Sequence, residues 1–427
     1  MNNPLKIAIA GLGTVGGGVV TALQAHGKAL SNRAGRRLDI AAACERDETK
    51  KLSFDIKTWL SDIHAVAQSD TDVVVELIGG ENGPALTLVE EALKAGKHVV
   101  TANKAMMARH GARLAALAEE KNLALKFEAA VAGGIPIVKS LRESLMVYGV
   151  IAVRGILNGT CNYILTQMES TGRPFDDVLK DAQALGYAEA DPTLDVGGGD
   201  TAHKLALLAG LAFGVAPDLD SMPVQGIVHI TPDDIAFARE FGFRIKLLGI
   251  AKKTPQGIDQ RVQPAMVRAG TPLGDVDGVF NGVTADTGLA GPFFFEGRGA
   301  GAAPTANAVI ADLVDIARGN MGPAFGIPAQ SLIALTPAPA GSASSAFYLR
   351  FQVLDVPGVL AEIAGHLAKW QVSIESMLQR GRAPGEAVSI VMITHETTHA
   401  AVDSALKTIA LSDKVIAPPC MIPMEAG

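Results

Sequence analysis

Asp200 and Lys204 stand four residues apart in DTAHKLALLAG, so on a helix they share one face, and Leu207, Leu208 and Leu211 continue it. The lysine therefore lies in line with an apolar stripe rather than on a solvated side. Burial lowers the pKa of a lysine because water no longer stabilises its charge. That suits the amine to proton transfer, and the neighbouring carboxylate opposes the shift. The competing reading is a surface ion pair, worth about 0.3–0.5 kcal/mol. It is disfavoured because the pair closes GYAEADPTLDVGGGD (186–200), an acid- and glycine-rich stretch that suits a substrate site better than a linker. A second such passage spans 270–291. His203 adjoins Lys204, but one step along a helix turns about 100°, so it points elsewhere and reads as structural.

A second constellation is Gly11-Leu-Gly13-Thr-Val-Gly16, which follows the apolar run LKIAIA (5–10) and opens a helix through Val19, Val20 and Leu23. In that context Gly11 permits a tight turn, Gly13 lets the backbone approach a pyrophosphate, and Gly16 lets helix and strand pack closely. The helix N-terminus favours the phosphate charge. After the next run come Glu45 and Arg46. An acid there binds the ribose 2′-hydroxyl of NAD, and an arginine accepts the 2′-phosphate of NADP. Both types are present, so the choice stays open, with a slight lean to NADP through Arg46.

The elements that must carry these groups follow from hydrophobic spacing. Short apolar runs at 5–10, 38–43, 73–78, 98–102 and 124–131 alternate with helical stretches such as 84–95 and 109–121. That order predicts βαβ units and a mostly parallel sheet, placing a Rossmann-like α/β domain at 1–132, rejoined by about 297–335. An α+β substrate and dimerisation domain is expected at 133–296. TPAPAGSASSA (336–346) lacks hydrophobic periodicity and reads as a linker. Beyond it, 347–427 reads as a ferredoxin-like βαββαβ unit: alternation over 347–353, a helix through Val359, Ile363 and Leu367, strands at 372–378 and 387–394, a helix at 399–411 and a last strand near 415–423.

With 427 residues, 48% of them hydrophobic and 19% charged, the chain can bury two or three cores. A net charge of -7 leaves no basic surface for nucleic acid. Cys44, Cys161 and Cys420 lack metal-type spacing and read as free thiols of a reducing cytoplasm. No apolar run reaches the roughly 18 residues of a membrane span, and the N-terminus has no signal-peptide pattern.

AGKHVVTANKA (95–105), FEAAVAGGIPI (127–137), NGTCNYIL (158–165), LGYAEADPTLDVGGGDTAHKLALLA (185–209) and GRGAGAAPTA (297–306) resemble homoserine dehydrogenase motifs, in that family's order and over nearly the whole chain. The resemblance implies NAD(P)-dependent interconversion of L-aspartate 4-semialdehyde and L-homoserine, in threonine and methionine biosynthesis. It implies Lys204 as general acid and base, with Lys104 as a second lysine near the reacting carbonyl; two ammonium groups sharing a site depress each other's pKa. Glu189 and Asp200 would bind substrate polar groups, Asp195 would orient them, and Thr160 is a further substrate contact. Cofactor contacts would come from Gly11, Leu12, Gly13, Thr14, Val15, Gly16, Arg46, Thr101, Lys104, Gly186 and Gly301. Glu128, Val131, Gly133 and Ile135 match a structural sodium or potassium site built largely from backbone carbonyls. FYLRFQVLDVPGVLAEIAGHLAKWQVSIESMLQR (347–380), with its Asp355-Val-Pro-Gly358 turn and Ile374-Glu-Ser376, resembles an ACT domain. That implies an amino-acid effector, with L-threonine expected, and a cytoplasmic homodimer or homotetramer. Other readings are a dehydrogenase of another semialdehyde or amino acid, and a non-catalytic sensor. Since every expected catalytic residue precedes the linker, a chain cut near residue 340 is expected to keep turnover.

Overall fold

The computed structural model describes residues 3–47, 49, 53–147, 149–379 and 386–425. The first five strands are β1 (Leu5–Ala10), β2 (Leu38–Cys44), β3 (Val73–Glu76), β4 (His98–Thr101) and β5 (Leu125–Lys126). They form one parallel sheet in the order β2-β1-β3-β4-β5. Both faces are apolar, as a parallel sheet covered by crossover helices requires. Ile7, Ile9, Val73 and Val75 pack against Val19 and Leu23 of the Thr14–Ala34 helix and against Val309 and Leu313 of the Ala302–Ala317 helix. Ala8, Val74 and Val99 face Leu88 of the Pro84–Lys94 helix and Leu114 of the Lys104–Glu120 helix. In this strand order β1 and β3 are neighbours whose connections leave to opposite faces, which opens a crevice at their carboxyl ends.

Two local readings shift. The helix expected from residue 109 begins at Lys104, because Asn103 caps it by accepting from the Met106 amide at 3.1 Å. The run at 124–131 is strand only over Leu125–Lys126 and then becomes a short turn at Glu128–Ala130. The buried Glu128 carboxylate accepts the Val138 and Lys139 amides at 3.1 and 2.8 Å, drawing the chain off the sheet into the next unit.

That unit is an antiparallel array of β6 (Ala152–Ile156), β7 (Phe243–Thr254), β8 (Gly257–Arg268), β9 (Phe280–Asp286) and β10 (Pro292–Arg298), ordered β10-β9-β6-β7-β8. The Gly199–Phe213 helix packs across it, with Leu205 and Leu207 in the core shared with Leu247 and Val262. The second polar passage forms β9 and a charged cluster: Asp277 accepts from Arg244 at 2.6 Å, and Lys246 donates to the Val276 carbonyl at 2.6 Å.

The C-terminal unit adds β11 (Ser344–Ser345), β12 (Phe347–Leu354), β13 (Ile374–Gln379), β14 (Ala387–Thr394), β15 (Thr397–Thr398) and β16 (Cys420–Glu425). Helices Val359–Lys369 and His399–Ile409 cover the sheet through Ile363, Leu367, Val402 and Leu406, giving the βαββαβ pattern. The sheet does not end there. β16 runs past the expected limit so that Met424 and Glu425 pair with Met266 and Val267 of β8, fusing both units into nine strands. The Pro/Ala/Gly/Ser stretch follows β8 as well: Ile258 donates to the Thr336 carbonyl at 2.8 Å and Ala338 to the Ile258 carbonyl at 2.9 Å. Asp234, in the first turn of the Pro232–Glu240 helix that Thr231 caps, receives Arg350 at 2.6 and 3.0 Å and the Tyr348 hydroxyl at 3.1 Å. Among the described residues, no helix is long and apolar enough to cross a membrane.

Candidate active site

The glycine-rich turn sits at the carboxyl end of β1. Gly11 has φ +93°, and a Cβ there would lie 2.6 Å from the Leu77 carbonyl oxygen. A Cβ on Gly16 would lie 2.0 Å from the Gly11 carbonyl oxygen, whereas nothing lies within 4 Å of the Gly13 Cβ position. The turn is thus closed toward β3 and the helix and open at Gly13, which fits the approach of a dinucleotide pyrophosphate. Leu12, Thr14 and Val15 lie along the same turn and helix start. Glu45 is spent on the loop itself: its carboxylate accepts the Leu12 amide at 2.7 Å and the Arg46 and Asp47 amides at 2.9 and 3.2 Å. Arg46 is exposed beside it.

Across the crevice, buried Glu76 accepts the Ile78 and Gly79 amides at 2.8 and 3.0 Å and the Thr101 hydroxyl at 2.5 Å. Thr101 is itself buried, and its hydroxyl also accepts the Asn103 amide at 2.9 Å. Lys104 follows at the helix start, on the same edge of the sheet as the glycine turn.

The Gly199–Phe213 helix brings its charged pair to this edge. Lys204 Nζ lies 2.7 Å from Asp200 Oδ2 and 2.6 Å from the Leu157 carbonyl, and Lys104 Nζ lies 3.1 Å from Asp200 Oδ1. One carboxylate therefore bridges both lysines. Asn158, 4% exposed, donates to Asp195 Oδ1 at 2.8 Å and Asp200 Oδ2 at 2.9 Å. Its own carbonyl caps the Gly159–Thr171 helix at the Cys161 amide, 2.8 Å away. Burial lowers the Lys204 pKa despite Asp200. Lys104 moves the other way: the charge of Asp200, which stands between the two ammonium groups, raises it, so the expected depression holds at Lys204, which the charge of Lys104 helps to lower, and not at Lys104. Burial pushes Asp200 up, but Lys204 and Lys104 together hold its carboxyl well below the usual range. Asp195 is raised by burial.

Thr160 donates to the Tyr187 carbonyl at 2.6 Å and so pins the loop that carries Gly186 and Glu189. Glu189 is exposed and close enough for its charge to act on Lys104. Gly301, with φ +117°, starts the Ala302–Ala317 helix, and Gly133 lies where a Cβ would meet the Gly299 carbonyl oxygen at 2.8 Å. Val131 and Ile135 are buried on the same turn. Among the described residues His203 makes no hydrogen bond to the lysine pair, and its Nδ1 is buried without a hydrogen-bond partner. Three residues at the site went unrecognised in the sequence. The Leu157 carbonyl leaves no side-chain signal and Glu76 resembles any strand-end acid, but Asn158 stands at a helix-capping position that local spacing reveals.

The profile of homoserine dehydrogenases matches residues 136–314, that of their NAD-binding domain 11–128, and that of the ACT domain 347–410. The chain is 43% identical to the homoserine dehydrogenase of Neisseria gonorrhoeae over 431 residues, covering 99% of each. The crystal structure of a homoserine dehydrogenase from Thiobacillus denitrificans superposes with a TM-score of 0.93 at 40% identity, covering 99% of each chain. A hyperthermophilic archaeal homoserine dehydrogenase in complex with NADPH superposes with a TM-score of 0.63 at 25% identity, covering 73% of this chain and 97% of that one. A crevice shaped for a dinucleotide, a lysine pair on one carboxylate at its edge and these likenesses agree: the chain belongs to the homoserine dehydrogenases, NAD(P)-dependent oxidoreductases, and carries a C-terminal ACT domain.

Proposed function

We propose that this chain interconverts L-aspartate 4-semialdehyde and L-homoserine, with Lys204 moving the proton at the substrate oxygen. The observation that carries this reading is the Asp200 carboxylate held between Lys204 and Lys104 at the edge of the cofactor crevice. When bound, the nicotinamide cofactor supplies or accepts the hydride. Lys204 gives its proton to the aldehyde oxygen in reduction and takes it from the homoserine hydroxyl in oxidation. Burial lowers its pKa and so brings the unprotonated state closer. Lys104, kept charged by Asp200, polarises the carbonyl and offsets negative charge as it develops on that oxygen. Asp200, whose oxygens are already engaged by both lysines and Asn158, orients the lysines. Glu189, exposed on the loop pinned by Thr160, is left to meet the substrate ammonium.

We assign the cofactor as NADP, held by the Gly11–Gly16 turn, Gly186 and Gly301, with Arg46 reading the 2′-phosphate. Glu45 is committed to the Leu12 amide, and a relative binds NADPH. A structural sodium or potassium ion at the carbonyls of Glu128, Val131, Gly133 and Ile135 belongs to the same reading, as do a homo-oligomer, a cytoplasmic location, the domain limits given above, and L-threonine as effector of the ACT domain. The test is absorbance in the reduced-nicotinamide band on adding L-homoserine and NADP. Formation of NADPH supports the assignment. Turnover of another hydroxy amino acid with none of homoserine overturns it.

A further inference from the structure

Asn281 is the second residue of β9 and is 1% exposed, and neither its Nδ2 nor its Oδ1 has a hydrogen-bond partner among the described residues. An amide left unmet at both ends in the interior is unfavourable and calls for a reason. Its position supplies one. β9 pairs with β10 so that Asn281 stands opposite Gly297, two residues before Gly299. The side chain reaches past the end of β10 onto that glycine: a Cβ on Gly299 would lie 2.3 Å from Asn281 Cγ and Oδ1 and 2.4 Å from Nδ2. Such near-equal distances mean that the flat amide presents its face to Gly299. The loop is closed on a second side as well. Gly134 donates to the Arg298 carbonyl at 3.0 Å, and a Cβ on Gly133 would meet the Gly299 carbonyl oxygen at 2.8 Å. The chain is therefore clasped just before Gly301, where the Ala302–Ala317 helix begins. Asn281 also borders the other half of the site. Its Oδ1 lies 3.6 Å from the Cβ position of Gly159, the first residue of the Gly159–Thr171 helix. That helix is tied to the same strand, for Asn162 Nδ2 donates to the Phe280 carbonyl at 3.2 Å. Asn158, which caps the helix, holds Asp195 and Asp200, and Asp200 holds both lysines. One unpaired amide thus stands between the loop that leads to Gly301 and the helix start that leads to the lysine cluster.

We infer that Asn281 is a positioning residue for hydride transfer: with cofactor and substrate bound, its amide hydrogen-bonds to the backbone of the 298–301 loop and of the helix start, and so fixes the spacing of the two segments. Reacting atoms must come within about 3–3.5 Å of each other, and a misplacement of about 1 Å costs on the order of 100-fold in rate. Asn281 acts through the segments on either side of it. The inference rests on the proposed homoserine reaction and on the proposed cofactor role of Gly301.

The experiment compares wild type, Asn281→Ala, and Asn281→Ala combined with Gly299→Ala, in which a new methyl group refills the space beside the loop without restoring an amide. Oxidation of homoserine with NADP is followed for ordinary homoserine and for homoserine deuterated at its hydroxyl-bearing carbon, which yields the hydride. Melting temperature and NADP affinity are measured on the same proteins. Expected in both variants is a kcat lower by about tenfold or more, with KM for homoserine and Kd for NADP within about threefold of wild type. The deuterium isotope effect on kcat is expected to exceed that of wild type, because a misplaced hydride makes its transfer limit turnover. Recovery of wild-type kcat in the double variant would overturn the inference, since it would show that Asn281 only fills space. A lower kcat with an unchanged isotope effect and a lower melting temperature would also overturn it, as the mark of a purely structural role. Wild-type kcat and isotope effect in Asn281→Ala, beside a wild type that oxidises homoserine, overturn this inference alone. A wild type that oxidises no homoserine overturns the proposed function with it.

Discussion

Two buried aspartates in this molecule do similar electrostatic work with opposite consequences. Asp200 bridges Lys104 and Lys204; Asp234 receives Arg350 in a fork together with Tyr348. In both, burial pushes the carboxyl up and cationic partners more than reverse it. The difference lies in the partner. A buried lysine can lose its proton, and burial brings Lys204 closer to doing so. Arginine keeps its charge in any protein environment. One cluster can therefore move protons, while the other can only hold two units together.

The largest effect expected is at the first cluster. Lys204→Met keeps the shape and removes the transferable proton, so kcat falls by about 10²–10⁴-fold while cofactor affinity stays near wild type; the melting temperature falls as well, because buried Asp200 is left with Lys104 as its one cationic partner. Steady-state kinetics with cofactor titration read this directly, and a kcat within a few-fold of wild type removes Lys204 from the chemistry. The mirror experiment is Arg350→Leu. Removing one partner of a buried pair strands the other charge at a cost of about 3–5 kcal/mol. Denaturant unfolding should show that loss, with turnover per folded molecule retained. Unchanged stability would show that Asp234 does not depend on the ACT unit.

The same joint changes the expectation for a chain cut near residue 340. The catalytic residues all remain, but the edge of β8 loses β16 and Asp234 loses Arg350. An unpaired apolar edge is prone to association, so the truncated enzyme is predicted to keep its chemistry and lose stability.

Smaller effects are expected where contacts are exposed. Arg46→Ala should weaken NADP binding by roughly 10- to 100-fold, the range of a hydrogen bond to a charged group, and leave NAD binding little changed; equal weakening of both would show that Arg46 does not read the 2′ position. Glu189→Leu should raise KM for homoserine by about tenfold with a lesser effect on kcat, and an unchanged KM would take Glu189 out of the substrate shell.

What was legible in the sequence divides along the same line. The glycine turn and the Asp200–Lys204 spacing are local, set by strand-to-helix geometry and helical period, so residue types suffice to read them. The βαββαβ order of the ACT unit was readable for the same reason. Lys104 reached Asp200 as part of the site, but the sign of its shift depends on which group stands between the two lysines, and that is tertiary information. Asn158 joins Asp195 to Asp200 only because the end of β6 meets two separate segments. The pairing of β16 with β8 joins residues far apart in sequence. Nothing in CMIPME or in the Pro/Ala/Gly/Ser stretch announces that partner.

The central claim is that a desolvated Lys204 exchanges the proton at the substrate oxygen. Homoserine oxidation requires the unprotonated amine, so kcat must rise with pH through the pKa of Lys204 in the ternary complex. In the unliganded chain burial lowers the Lys204 pKa from the 10.5 of an unperturbed lysine. The decisive measurement is the pH profile of kcat for homoserine oxidation at saturating cofactor, in wild type and in Lys204→Met. A rising limb centred below 10.5 in wild type, absent from the residual activity of the variant, is the predicted result. The same limb in both proteins would contradict it.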